Sequence, residues 1–219
     1  MSSSDFDLSV FEDEPVLAII RGVTRECFEG VFEAVIGAGL KFAEITLNTP
    51  NALNLLEESS HRYSTSVCLG AGTVLSVKDA EQAAGAGARF IVSPTLDEDV
   101  AAFCRERNLV YFPGALTPTE IEKAWNSGAC MVKVFPASQV GPQYFKLIRG
   151  PFPDIRLMAV GGVNPGNISD YLKAGASAVA LGGSVISPER MKNREFSLIQ
   201  KEAEEFLFAV KNFISKIKI

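Results

Sequence analysis

The hexapeptide Met131-Val132-Lys133-Val134-Phe135-Pro136 reads as a strand buried on both faces, since nearly all of its residues are apolar or β-prone. Alternation sets Met131, Lys133 and Phe135 on one face and Val132, Val134 and Pro136 on the other. The lysine is the exception. An ammonium in an apolar interior is costly, and the usual escape is a lowered pKa and a neutral amine. A neutral, desolvated lysine is also a nucleophile that forms Schiff bases with carbonyl substrates. Taken alone, the stretch allows a structural reading equally well: a lysine that snorkels out at the strand end or pairs with a buried carboxylate.

Outward from this stretch, strand and helix patterns alternate eight times. The expected strands are 16–22, 42–47, 67–73, 90–94, 110–115, 131–136, 156–162 and 178–183. Thr24, Ser76, Thr95 and Thr117 are expected N-caps, Pro50 suits a first helical turn, and Pro118 and Glu120 take N1 and N3 of the fifth helix. Helices end at Gly39, Gly87, Gly128 and Gly175, each followed by Ala or Leu and a short loop into a strand. That recurrence marks one repeated unit. Residues 194–217 place Phe196 through Ile217 in an apolar stripe at steps of three and four, as in a long amphipathic helix.

Eight such units form either a (β/α)8 TIM barrel or an open doubly wound sheet. The barrel is favoured because no Gly-x-Gly-x-x-Gly follows the first strand. No linker or composition break divides the chain. The expectation is a single α/β barrel domain over 15–219, C-terminal helix included, behind an N-terminal extension over 1–14 that covers the barrel's bottom.

The 219 residues, 47% of them hydrophobic, suit one barrel, a fold that runs to about 200–250 residues. A net charge of −5 without any Lys/Arg block argues against a nucleic-acid partner. No apolar run approaches the ~18–20 residues of a membrane helix, and the acidic start MSSSDFDLSVFEDEP is not a signal peptide. Cys27, Cys68, Cys104 and Cys130 lie far apart with no CxxC pair, so they read as reduced thiols of a cytoplasmic protein. His61 is the only histidine and sits in a polar stretch. That count removes His-rich metal sites and argues against Ser-His-Asp catalysis.

In a barrel of this kind the functional residues stand at the C-terminal ends of the strands. The first strand ends at Arg21, whose fork suits a carboxylate; surface solvation is the alternative. The second carries Glu44 and Thr46 on one face, and Glu44 is expected to point into the barrel because the other face packs on helices. The third ends at Gly72-Thr73, the fourth at Ser93-Pro94, the fifth at Pro113-Gly114. Glu44 and Lys133 in one interior each make the other cheaper to bury, and they combine a proton shuttle with a nucleophile; a structural salt bridge is the alternative. The last two strands end in Gly161-Gly162 and Gly182-Gly183-Ser184. Either glycine pair alone would be a plain turn. Both together, at these two strands, favour a phosphate held by backbone N–H groups. Metal-dependent phosphosugar epimerases would need histidines that are absent, and a glutamate–histidine isomerase would need His61 at a strand end.

In this order the motifs resemble the KDPG/KHG aldolase family, class I aldolases acting on 2-dehydro-3-deoxy-6-phosphogluconate and 4-hydroxy-2-oxoglutarate. The resemblance runs from Pro15 to Ile186. It is carried by Ile19-Ile20-Arg21-Gly22, Glu44-Ile45-Thr46-Leu47, Gly70-Ala71-Gly72-Thr73-Val74, Phe90-Ile91-Val92-Ser93-Pro94 and Pro113-Gly114. It continues through Val132-Lys133-Val134-Phe135-Pro136-Ala137, Gly150-Pro151-Phe152-Pro153, Gly161-Gly162-Val163 and Gly182-Gly183-Ser184. The resemblance implies a carbon–carbon lyase with Lys133 as Schiff-base lysine and Glu44 as general acid/base, working through a bound water. It implies that Thr73, Pro94 and Phe135 line the pyruvate half of the site. Gly161, Gly162, Gly182, Gly183 and Ser184 would hold the distal phosphate. It further implies a homotrimer that needs no metal and no cofactor, acting on a 2-keto-3-deoxy sugar acid phosphate. The expected reaction is Entner–Doudoroff cleavage of the phosphogluconate substrate to pyruvate and glyceraldehyde 3-phosphate. Cleavage of 4-hydroxy-2-oxoglutarate to pyruvate and glyoxylate is a second expectation.

Two departures bear on the substrate. Some members carry an arginine four residues after the glutamate, where this chain has Asn48, so the substrate carboxylate falls to Arg21 or Asn48. Val160 replaces the threonine that often precedes the first glycine pair. The run Leu47-Asn48-Thr49-Pro50 is similar to the galactonate-type aldolases, which makes 2-dehydro-3-deoxy-6-phosphogalactonate, the C4 epimer, the alternative substrate. A non-catalytic phosphosugar-binding barrel is the alternative from another class.

Overall fold

The computed structural model describes residues 6–217. The first five residues of the expected extension, and residues 218–219 at the end of the expected barrel, lie outside that range. So does the side chain of Ile217, the last member of the expected stripe.

The strands are β1 (Val16–Ile20), β2 (Phe42–Thr46), β3 (Cys68–Gly72), β4 (Phe90–Val92), β5 (Val110–Phe112), β6 (Gly114–Ala115), β7 (Val132–Val134), β8 (Leu157–Ala159) and β9 (Ala178–Leu181). All pairings are parallel, and the spatial order is β5-β4-β3-β2-β1-β9-β8-β7-β6. The two ends of that order, β5 and β6, are consecutive in the chain and separated only by Pro113. A proline supplies no ladder N–H and so interrupts a strand, yet the Pro113 carbonyl still accepts from the Lys133 N–H at 2.9 Å. The sheet therefore closes on itself as an eight-unit barrel. Each expected strand is present; the expected ranges run a few residues past the ladders into the loops that carry the polar residues.

The helices are α1 (Leu8–Asp13), α2 (Arg25–Gly37), α3 (Ala52–Arg62), α4 (Val77–Gly85), α5 (Glu98–Glu106), α6 (Pro118–Asn126), α7 (Ala137–Arg149), α8 (Ile168–Lys173), α9 (Pro188–Lys192) and α10 (Phe196–Ile217). Thr117 and Glu120 form a reciprocal capping box on α6. Gly39, Gly87, Gly128 and Gly175 follow their helices with φ between 89° and 100°, the left-handed cap that lacks a Cβ penalty. Thr95 does not cap α5. Asp97 does, its carboxylate accepting from the N–H groups of Asp99 (2.9 Å) and Val100 (3.0 Å), a charge-assisted contact that a hydroxyl two residues earlier cannot make. Thr24 stands at the N-cap of α2 without a side-chain bond to it, and Pro50 precedes a left-handed Asn51 that takes the N-cap of α3.

The core has two layers. The outer one packs Ala43, Ile45, Val132 and Val134 of the strands against helical residues such as Phe32, Leu55, Phe145 and Phe206. The inner one fills the lower barrel with Leu17, Phe42, Phe90, Phe112, Met131 and Met158. Gly70 makes room for Phe90, since a Cβ there would stand 2.6 Å from the ring's Cζ. From α1, fully buried Phe11 closes the base, its ring centroid 4.9 Å from that of Phe42 and 5.9 Å from that of Phe112. The lower barrel is thus sealed with aromatic rings. Polar side chains on the inward faces, Glu44, Thr46 and Lys133, occur farther along the strands. Among the described residues, no helix is long and apolar enough to cross a membrane.

Candidate active site

Lys133 lies on β7, sharing its inward face with Met131 and Phe135. It is 3% exposed, and its Nζ stands 5.2 Å from the centre of the Phe135 ring. Glu44 lies on β2 and is fully buried, with neither carboxylate oxygen taking a hydrogen bond from any described residue. The β2–β3 register sets Glu44 beside Gly70 and Thr46 beside Gly72. A Cβ on Gly72 would come within 2.6 Å of the Glu44 Cδ. Small residues on β3 therefore give the carboxyl its room.

Burial pushes the Glu44 carboxyl above the ordinary range, opposed by the charges of Lys133 and Arg21. Burial likewise pulls the Lys133 amine down; Glu44 opposes that shift and Arg21 adds to it. Both groups move toward their neutral forms, as desolvation requires. An amine shifted toward its free form and a carboxyl shifted toward its protonated form can serve as nucleophile and acid.

A cavity of about 260 Å3 opens at the C-terminal ends of β1, β7, β8 and β9. Of the residues singled out in the sequence, it brings together Arg21, Lys133, Phe135, Gly161, Gly162, Gly182, Gly183 and Ser184. Arg21 and Lys133 are the cations on its wall. Glu44, Thr73, Pro94 and Asn48 are not on that wall. Thr73 is tied to it through Arg21, whose Nη2 lies 3.5 Å from the Thr73 hydroxyl. Thr73 also has φ of 57°, a conformation that costs a β-branched residue about 1–3 kcal/mol and gathers at functional sites. Pro94 presses its carbonyl against β6, where Ser93 and Pro94 leave room only for the glycine at 114. Asn48 is exposed in the turn after β2, so the structure puts Arg21, not Asn48, at the cavity.

On the cavity wall after β8, Gly161 and Gly162 have φ of 94° and 79°, and a Cβ on Gly162 would stand 2.5 Å from that of Ser138. Only glycine meets both demands. After β9, the Gly182 carbonyl accepts from the N–H groups of Val185 (2.9 Å) and Ile186 (2.7 Å), closing a tight turn. Among the described residues, no acceptor takes the N–H groups of Gly162, Gly183 or Ser184. The Ser184 hydroxyl donates to the Val163 carbonyl at 2.9 Å and so joins the two glycine loops.

Thr46 is expected on one face with Glu44, but its pairing with Thr49 is not expected. Thr49 Oγ1 accepts from the Gly22 N–H at 2.9 Å and lies 3.1 Å from Thr46 Oγ1, holding the turn that follows Arg21. Thr49, in the polar turn after β2, looks like any other threonine until the fold buries it against Thr46. Among the described residues, no cluster of three or more His, Cys, Asp or Glu is arranged to hold a metal ion.

A barrel whose buried lysine and glutamate are both shifted toward their neutral forms, with unpaired N–H groups bordering the same cavity, fits an aldolase that works through a lysine. Comparison with known proteins agrees. The family model for KDPG and KHG aldolase matches residues 8–202, and the chain belongs to that family. It is therefore an aldolase, a carbon–carbon lyase. It is 37% identical over 177 residues to the probable 2-dehydro-3-deoxy-6-phosphogalactonate aldolase of Rhizobium meliloti (strain 1021), covering 80% of this chain and 84% of that one. It is 34% identical over 185 residues to the 2-dehydro-3-deoxy-phosphogluconate aldolase of Treponema pallidum (strain Nichols), covering 83% and 87%. Among solved structures, the KDPG aldolase of Legionella pneumophila, with pyruvate captured at low pH as a covalent carbinolamine intermediate, superposes with a TM-score of 0.82. That pair shares 29% identity, over 90% of this chain and 95% of the other.

Proposed function

We propose that this chain cleaves a 2-dehydro-3-deoxy-6-phosphoaldonate to pyruvate and glyceraldehyde 3-phosphate through a Schiff base on Lys133. The observation that carries the reading is Lys133 itself: 3% exposed at one end of a cavity, drawn toward the free amine by burial, with buried Glu44 the nearby acid. The amine attacks the C2 carbonyl carbon, and the Glu44 carboxyl supplies the proton with which the C2 oxygen leaves as water. The resulting iminium draws in the electrons of the C3–C4 bond as the Glu44 carboxylate takes the C4 hydroxyl proton. The aldehyde departs, the enamine is protonated at C3, and water releases pyruvate from Lys133.

In this reading Arg21 binds the substrate carboxylate, with Thr73 beside it, and Phe135 walls the pyruvate half. Gly161, Gly162, Gly182, Gly183 and Ser184 receive the phosphate through backbone N–H groups. Of the two C4 epimers, we favour the galactonate. The R. meliloti relative at 37% identity carries that name, and the run Leu47-Asn48-Thr49-Pro50 resembles the galactonate-type aldolases. Cleavage of the gluconate epimer and of 4-hydroxy-2-oxoglutarate is then secondary. Pyruvate release measured side by side from the galactonate and gluconate phosphates tests this, with the larger kcat/KM expected for galactonate and turnover unaffected by EDTA. A larger value for gluconate reverses the substrate assignment. Phosphate binding without pyruvate release from either would leave a binding barrel instead.

The family resemblance supports a cytoplasmic homotrimer, for which light scattering should give three times the 23.6 kDa of one chain. The boundary between an extension at 1–14 and the barrel from residue 15 onward is supported by the strand pattern, with β1 starting at Val16.

A further inference from the structure

Arg190 stands behind the cavity wall, not on it. Its backbone N–H is capped by the Ser187 hydroxyl at 3.2 Å at the start of α9. Its guanidinium Nη1 donates to the carbonyls of Val185 (2.9 Å) and Ser184 (3.4 Å). Nη1 and Nη2 together grip both oxygens of Glu202 on α10, each at 2.6 Å. The two side chains are 21% and 26% exposed, so this bidentate pair is better shielded than an ordinary surface bridge.

The carbonyls that Arg190 holds belong to the turn Gly182–Ile186. Val185 and Ile186 fold their N–H groups back onto the Gly182 carbonyl, which gives the turn a helical sense. In such a turn the carbonyls point one way and the leading N–H groups the other. Arg190 therefore grips the back of the turn whose front, at Gly183 and Ser184, borders the cavity. The turn is also anchored by buried Val185 and Ile186. At Gly183 and Ser184 themselves, a Cβ on the glycine would meet nothing within 4 Å, and the Ser184 side chain is tied through its hydroxyl to Val163. Glu202 answers the charge of Arg190, so the guanidinium serves as a splint instead of an anion ligand.

We propose that Arg190, clamped by Glu202, is a positioning residue that holds the turn after β9 in the shape that receives the substrate's terminal phosphate. The preference for a phosphorylated substrate then depends on an ion pair between α9 and α10 that never touches the substrate. This rests on the phosphate reading given above.

Arg190→Met and the milder Glu202→Gln test it, each assayed on the preferred phosphorylated acid and on the same acid without its phosphate. A general loss of structure lowers both activities alike; loss of the splint changes their ratio. The ratio of kcat/KM for phosphorylated over unphosphorylated substrate should fall on the order of tenfold in Arg190→Met and by less in Glu202→Gln. The change should appear in KM for the phosphorylated acid, with inhibition by inorganic phosphate weakened in step. A wild-type ratio in both variants overturns the proposal. A wild-type enzyme with no preference for the phosphorylated acid and no inhibition by phosphate removes the phosphate seat itself, and the splint with it.

Discussion

Gly72 on β3 and Glu44 on β2 occupy one space: a Cβ on the glycine would stand 2.6 Å from the Cδ of the carboxyl. The carboxyl is fully buried and without a hydrogen-bond partner among the described residues, so packing and the charges of Lys133 and Arg21 hold it in place of hydrogen bonds. Gly72→Ala should push Glu44 aside. A displacement near 1 Å can cost about a hundredfold in turnover, while overpacking costs about 1–3 kcal/mol in stability. Steady-state kcat alongside urea unfolding checks this; a folded variant with wild-type kcat would remove Glu44 from proton transfer.

The pH dependence follows from the direction of the Lys133 shift. Burial places its folded pKa below the ordinary 10.5, and the free amine is the reactive form. Imine formation with pyruvate should therefore rise with pH and level off below 10.5. Glu44 opposes the shift by attracting the ammonium, so Glu44→Gln should move the inflection lower still, as read from single-turnover pH profiles. An inflection that stays put or rises would mean the two groups are not coupled. The same shift bears on stability: the unfolded chain binds a proton that the folded chain rejects, so the penalty is greatest at low pH and fades as pH approaches 10.5.

Arg21 and Asn48 make opposite predictions. Arg21→Met removes the cavity's cation other than Lys133, and it should weaken pyruvate capture about ten- to a hundredfold. Asn48→Ala changes an exposed turn and should leave capture unchanged. The pyruvate concentration giving half-maximal borohydride trapping measures both. A larger effect at Asn48 would hand the carboxylate to that residue.

Phe11 offers a test far from the chemistry. It fills the barrel base against Phe42 and Phe112, so Phe11→Ala should cost about 3–5 kcal/mol with KM unchanged. A loss below 1 kcal/mol on urea unfolding would mean that α1 does not seal the base.

How far the sequence could be read follows a physical line. Strand and helix periods, the glycine caps and the alternation around Lys133 are local, and they located all eight barrel units. The glycine pairs could be placed on one cavity because the barrel's topology dictates which strand ends are neighbours. What stayed hidden depends on long-range packing. Asp97 displaced Thr95 as a cap because of where α5 begins. Thr46 and Thr49 became a buried support only when β1 and β2 met, and Arg190 found Glu202 only when α10 folded back. Asn48 shows the converse: a motif position drew attention to a side chain that the β2 turn faces to solvent.

The most direct test of the central claim is borohydride reduction in the presence of pyruvate, followed by peptide mass mapping. A single reduced pyruvyl group on Lys133, absent from Lys133→Met, is the predicted result. No adduct, or an adduct formed equally well in Lys133→Met, would contradict the Schiff-base account.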